Sequence, residues 1–335
     1  MEHQRIKSNQ LLFLLAIALL IVFGLSIFVG RYPEPFWMPP ALLAQEALAQ
    51  KLVFSLRLPR LVMALLLGMS LSACGEVLQM LFRNPIVEPG FLGVSQGAAF
   101  GAAFAILFIG GSQLNVEISA AVFALLGLGM SFLIARVLKF GGWVLRLVLS
   151  GIVVSALMSS GLGILKYLAD PLTQLQEITF WMLGGLWSTT WKSVFYVLPA
   201  VLVSLTITFL MRWRLNVLSL GDATAFSLGA SAKKERILLL VSAVVATAAV
   251  TSVSGIVSWV GLIVPHLSRR IFGSNAQYSL PGSLLIGGIF TIICDVIART
   301  LMAGEIPLGI LTSFLGAAIF VALMSQDRLK VEKDE

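Results

Sequence analysis

The chain reads as an all-α, polytopic membrane protein with about ten spanning helices, and three observations predict this. Apolar residues fill 58% of its 335 positions and charged residues only 12%. Mean hydropathy is +0.97. Uncharged runs of helix length recur from end to end, whereas strand-like alternation is weak. Inside hydrocarbon every backbone polar group must bond internally, so such runs point to helices and not to a barrel. Two cysteines, Cys74 and Cys294, and two histidines, His3 and His266, are too few and too scattered for a disulfide framework. No metal site is expected, and both cysteines read as packing residues.

Each span has its own justification. The first apolar run, Leu11 to Gly30, follows Arg5 and Lys7 and exceeds a signal h-region in length. No small-residue cleavage site follows it, so it stays as a span near 10–30. Further spans are expected near 59–82, 90–110, 117–136, 146–166, 193–212, 236–253, 255–269, 281–300 and 306–325. The eighth is short and is expected to run at an angle or to break at Pro265, which has no N–H to give.

With the N-terminus inside, 16 of the 23 Lys and Arg residues fall on the inner side. That bias places both termini in the cytoplasm and implies an even number of spans. The formal charge of +7 is therefore a topology signal, and no nucleic-acid partner is expected. Arg31, Lys51, Arg57 and Arg60 run against the rule in or beside the first outer loop. Trp181, Trp187 and Trp191 cluster in an outer segment, where an interfacial belt belongs. The longest non-spanning stretches, 31–58, 167–192 and 213–235, leave no room for a soluble domain. Residues 1–335 therefore form one transmembrane unit.

Several short motifs stand out, each with a plainer reading beside it. Gly93, Gly97 and Gly101 recur every four residues, a spacing that lets helices pack closely; a wall beside a substrate pathway is the alternative. RNPIVEPG, Arg83 to Gly90, is a compact turn that stops helix propagation. Asp295 and Arg299, four apart, can pair on one helix face. Glu76 has no partner in its own helix, so structural and functional roles stay equally open. His266 reads as a helix-end residue. SLGDATAFSLGASAKKER, Ser219 to Arg236, is polar and small in an otherwise apolar chain. Gly221 and Gly229 bound a short helix there, which Ser219 or Asp222 could cap. The chain has no G-x-x-x-x-G-K-[ST] loop, so any ATP-driven step needs an ATPase on another chain.

Taken in order, these motifs resemble one family. RLPRLVMALLLGMSLSACGEVLQMLFRNPIVEPGFLGVSQGAAFGAA looks like the second and third helices of the permease subunits of ABC importers for iron–siderophore, haem and cobalamin. WMLGGLW, LNVLSLGDATAFSLGA, GIVSWVGLIVPHLSRRIFGS, DVIARTL and EIPLGILTSFLGAAIF resemble its later segments. The resemblance implies a type II importer permease fold and a transport role without covalent chemistry. It also implies a second permease subunit, in the commonest case an identical one, and two cytoplasmic ATPases that carry ATP and Mg. A periplasmic or lipid-anchored binding protein would deliver a metal chelate or, in some members, an oxyanion such as molybdate.

Residue by residue, Gly221, Asp222, Ala223, Thr224, Ala225, Phe226, Ser227, Leu228 and Gly229 match the family's ATPase-coupling helices. Phe226 or Leu228 would serve as the anchor in a pocket. Arg57, Arg60 and Arg299 match positions that face acidic residues on the binding protein. Gly142, Trp143, Val144 and Leu145 fall where the family closes its pathway toward the cytoplasm, and Trp143 departs from the small polar residues usual there. Glu76 is a second departure. A proton-coupled secondary transporter using Glu76 is the competing reading; it needs a chain of partnered carboxylates or a coupling-ion site, neither visible in the sequence. An intramembrane enzyme would need a nucleophile–base pair that two histidines and two cysteines do not supply.

Overall fold

The structure, a computed structural model, describes residues 2–33, 36–229, 231–302 and 304–334. Helix α1 (Glu2–Phe28) leads into a short antiparallel ribbon of β1 (Val29–Gly30) and β2 (Phe36–Trp37). Two short helices, α2 (Leu42–Gln45) and α3 (Ala47–Lys51), pass through a π-helical stretch, Leu52–Arg57, into α4 (Leu58–Phe82). Arg83 adopts a left-handed conformation (φ 50°) that ends α4. A 3-10 turn, Pro89–Leu92, then enters α5 (Val94–Phe104), which continues as a π-helical stretch to Ile109.

Helices α6 (Gln113–Val137) and α7 (Trp143–Leu168) follow as a hairpin, then the outer helix α8 (Gln174–Leu183) and α9 (Trp191–Leu210). At the inner end, taken as the end that carries the N-terminus, lie α10 (Arg212–Ser219) and α11 (Asp222–Ser227). The chain returns through α12 (Ala232–Ser254), α13 (Val260–Phe272), α14 (Ala276–Thr300) and α15 (Leu308–Asp334). Among the described residues, eight helices are long and apolar enough to cross a membrane. Val94–Ile109 is a further, shorter apolar helix.

Helix α4 is the axis of the bundle. Its apolar window is 83% buried, against 6% for α1, which lies on the periphery. Close packing in lipid comes from small residues, because lipid tails are as apolar as the side chains. A Cβ on Gly68 would collide with the Gly287 carbonyl of α14, and one on Gly75 with the Gly261 carbonyl of α13. Gly97 and Gly101 do the same work between α5 and α6: a Cβ there would strike the Phe123 and Ser119 carbonyls. The packing reading of these glycines holds, and Gly93 (φ 80°) turns the chain into α5.

The eighth span differs from expectation. Pro265 lies within α13, and the chain instead unwinds before it, at 255–259, where Gly255 (φ 67°) and Trp259 (φ 73°) have positive φ. Proline frees the carbonyl four residues upstream. That carbonyl, on Gly261, accepts from Gln79 Nε2 of α4 at 3.2 Å, so the neighbouring helix supplies the missing donor.

Candidate functional site

Helix α11 spans six residues between Gly221 (φ 107°) and Gly229 (φ 76°), a backbone that favours glycine at both ends. Ala225 is buried beneath it, while Phe226 is 79% and Leu228 57% exposed. Trp213 and Leu220 are exposed on the same inner segment. Gly221 is the N-cap, and Ser219 does not cap the helix: its Oγ donates back to the Asn216 carbonyl at 2.7 Å. The side chains of Asp222 and Ala223 lie outside the described residues. Thr224 and Ser227 are exposed, with Ser227 Oγ donating to the Thr224 carbonyl at 2.8 Å.

Two contacts tie this segment to the bundle. Asn216 of α10 donates to Asn275 Oδ1 at 2.7 Å and accepts from the Ala276 amide at 2.7 Å, clamping α10 to the first turn of α14. Gly221 faces the Arg83 guanidinium at the end of α4. One helical turn further along α14, Ser279 donates to Glu76 Oε1 at 2.7 Å, and Ser283 donates to Oε2 at 3.3 Å. Arg269 of α13 completes the cage with a 2.9 Å ion pair to Glu76. Its other arm donates to Gln79 Oε1, and Gln79 Nε2 reaches the Val87 carbonyl at 3.4 Å. Glu76 therefore does have partners, all on neighbouring helices. Fully buried and paired in this way, it acts as a cross-brace.

Two cavities flank the unwound 255–259 linker. The outer, about 380 Å³, is lined by Gln113, Glu117, Glu177, Trp181, Trp187 and Ser254, among others. Glu117 Oε1 accepts from Gln113 at 2.9 Å and from Ser193 at 2.8 Å. Burial pushes the Glu177 carboxyl up from its usual range. The inner cavity, about 280 Å³, is lined by Glu88, Ser95, Gln96, Ser155 and Ser258. Burial raises the Glu88 carboxyl, and a hydrogen bond from the Trp259 amide draws it partly back. The turn that ends α4 is thus bonded to the linker that begins α13.

The expected gate residues sit beside this turn. Gly142 is the N-cap of α7, and Leu145 is exposed. Trp143 and Val144 are half-buried and pack against the core. The Trp143 ring meets Phe82 edge-on at 6.0 Å, and the Arg236 guanidinium lies 5.1 Å over it. The tryptophan that departs from the family pattern is thus pinned between α4 and α12.

The three arginines matched to binding-protein docking are bonded within the chain. Arg57, Arg60 and Arg299 are only 7%, 8% and 9% exposed and do not project from the outer end. Arg57 donates to the Ile27 carbonyl at 3.0 Å and the Tyr32 carbonyl at 3.3 Å. Arg60 pairs with Asp295 at 2.7 Å and Glu305 at 2.8 Å. Arg299 donates to the Ser26 carbonyl at 2.6 Å. The expected Asp295–Arg299 pair is present but loose, at 3.6 Å, because Arg60 takes the short bond. Apolar surroundings make such inward pairing favourable: buried guanidiniums must find acceptors inside the chain.

The cavity-lining residues Gln96, Gln113, Glu117, Ser155, Ser254 and Ser258 were not singled out by sequence. They are isolated polar residues in apolar runs. The available signal was Glu117, an unpaired charge at a span edge.

These features describe an integral membrane protein with an exposed inner helix and two cavities beside the unwound 255–259 linker. Residues 18–326 match the profile of the FecCD transport family. The chain is 42% identical over 277 residues, 83% of each chain, to the "Probable iron chelatin transport system permease protein" of Helicobacter pylori. It is 36% identical to the molybdate import system permease MolB of Haemophilus influenzae, covering 94% of this chain and 95% of that one. A solved structure described as an inward-facing metal-chelate type ABC transporter superposes with a TM-score of 0.86 at 34% identity, covering 95% of this chain and 99% of that one. The chain belongs to the FecCD transport family and has the type II ABC importer permease fold. It is a multi-pass transport subunit rather than an enzyme.

Proposed function

We propose that the chain is the permease of an ATP-driven importer of a metal chelate in a bacterial or archaeal cytoplasmic membrane. Two ATPase subunits dock on the inner segment, a second copy of the chain completes the pathway, and a binding protein delivers substrate to the outer end. One observation carries this reading: a glycine-bounded helix and its C-cap present Phe226 and Leu228 to the exterior, with Trp213 and Leu220 exposed on the same inner segment. Exposed apolar anchors of this kind fill pockets on partners. Nucleotide-driven motion of α11 would pull α10. Asn216 would pass that motion to α14, and the Glu76–Arg269 brace would pass it to the turn below the inner cavity.

The lining of the outer cavity supports a metal chelate as the substrate class. Glu117 and Glu177 both line it, with Trp181 and Trp187 beside them. Two carboxylates repel a small oxyanion and tolerate a neutral or cationic chelate, so a metal chelate is favoured over molybdate. Cells carrying or lacking the gene should differ in uptake of labelled ferric siderophore or haem. Equal uptake of every chelate, with molybdate uptake lost instead, would overturn the substrate reading.

The proton-coupled alternative needs a chain of partnered carboxylates or a coupling-ion site. Glu76 instead accepts from Arg269, Ser279 and Ser283, none of them a carboxylate.

A further inference from the structure

A third cavity, about 570 Å³, opens at the inner end between α1, the α9–α10 joint and the first turns of α14. Its polar lining is Asn9, Arg212, Gln277 and Tyr278, and its apolar lining includes Leu12 and Phe209. The lining holds a guanidinium and three neutral groups that can donate, and no carboxylate. Among the described residues no acidic group lies within ion-pair distance of Arg212. Arg212 is instead held in place by its own helix end. Nη1 donates to the Phe209 carbonyl at 2.7 Å, and the guanidinium lies 4.1 Å over the Phe209 ring. Its Nε is buried without a partner. The remaining edge of this fork is a fixed, uncompensated positive charge at the membrane boundary.

We propose that this cavity binds the headgroup of an anionic phospholipid of the inner leaflet. The phosphodiester would pair with Arg212 and accept from the amide and phenol donors, while acyl chains run along Leu12 and Phe209. The position favours lipid over a protein partner: α1 forms one wall and is the least buried span of the chain. Phosphate and guanidinium match in geometry as well as charge. A cluster of donors at a leaflet surface that carries negative potential is the expected setting for such recognition. Because α10 begins at Arg212 and carries α11 at its other end, a bound headgroup would anchor the root of the inner docking segment at the bilayer plane. The binding claim itself does not depend on any ATPase.

The test is native mass spectrometry of the purified full-length chain titrated with palmitoyl-oleoyl phosphatidylglycerol or with phosphatidylcholine of the same chains. The chain should retain one phosphatidylglycerol that phosphatidylcholine does not replace. Arg212→Gln should weaken that binding about fivefold or more, the share expected of one basic residue at a lipid surface. Lys139→Ala, at an inner-side cation outside the cavity, should leave it unchanged. If Arg212→Gln fails to fold, Gln277→Leu tests the same cavity with the guanidinium kept and should also weaken binding. Inorganic phosphate at millimolar concentration should not displace the lipid. Equal binding by Arg212→Gln and Gln277→Leu, or full displacement by inorganic phosphate, would overturn the lipid site.

Discussion

Helix α4 carries two buried ion-pair clusters, and they are built on opposite plans. Arg60 and Glu76 lie 16 positions apart, about 24 Å along the helix. The outer cluster is crowded. Arg60 holds Asp295 and Glu305, with Arg299 standing 3.6 Å from Asp295 as a reserve cation. Arg57 and Arg299 also satisfy carbonyls at the end of α1. The inner cluster is spare: one carboxylate, one guanidinium, two serines and Gln79. Redundancy sits at the outer end, where α4, α14 and the end of α1 meet. The single pair sits between α13, α14 and the turn that leads toward the inner docking segment.

This contrast can be broken most sharply with Arg269→Met. It leaves Glu76 fully buried with only hydroxyl partners and should cost about 3–5 kcal/mol, seen as a lower apparent melting midpoint in detergent. The double change Glu76→Leu with Arg269→Met should recover most of that loss, since an apolar pair removes the stranded charge. A double variant as unstable as the single would show that the site needs ions rather than matched neighbours.

Phe226→Ala with Leu228→Ala comes next. Both side chains are exposed, so folding should be unaffected, while binding to the ATPase falls by about 2–4 kcal/mol in a pull-down titration. Arg60→Met should cost less stability than Arg269→Met, about 1–3 kcal/mol, because Arg299 remains to partner Asp295. Equal costs would erase the distinction between the two clusters.

The smallest effect concerns pH. The Glu88 carboxyl is raised by burial in the folded chain. Its contribution to stability is therefore full below the ordinary carboxylate value of about 4.3 and is lost as pH rises through the raised value. Glu88→Gln should flatten the melting midpoint across that window.

Much of this was legible in the sequence, for identifiable reasons. Hydropathy located eight helices long enough to cross because bilayer thickness fixes the length of each run. The segment around α11 was legible because a polar, glycine-bounded stretch is anomalous in an apolar chain. The ion pairs were not legible, since Glu76 and Arg269 are separated by 193 positions and Arg60 and Asp295 by 235. Nothing local marks such partners. For the eighth span the sequence offered a tilt or a break at Pro265, because proline announces itself. The real break depends on Gly255 and on Trp259 at positive φ, a strain only the tertiary structure can hold.

The most direct test is to purify the tagged chain from its native membrane in mild detergent and identify what stays bound. The account predicts an ATPase at one copy per permease, retained by the parent chain and lost from the Phe226→Ala, Leu228→Ala variant. A chain that comes out alone, and still moves substrate under a proton gradient in a Glu76-dependent way, would contradict it.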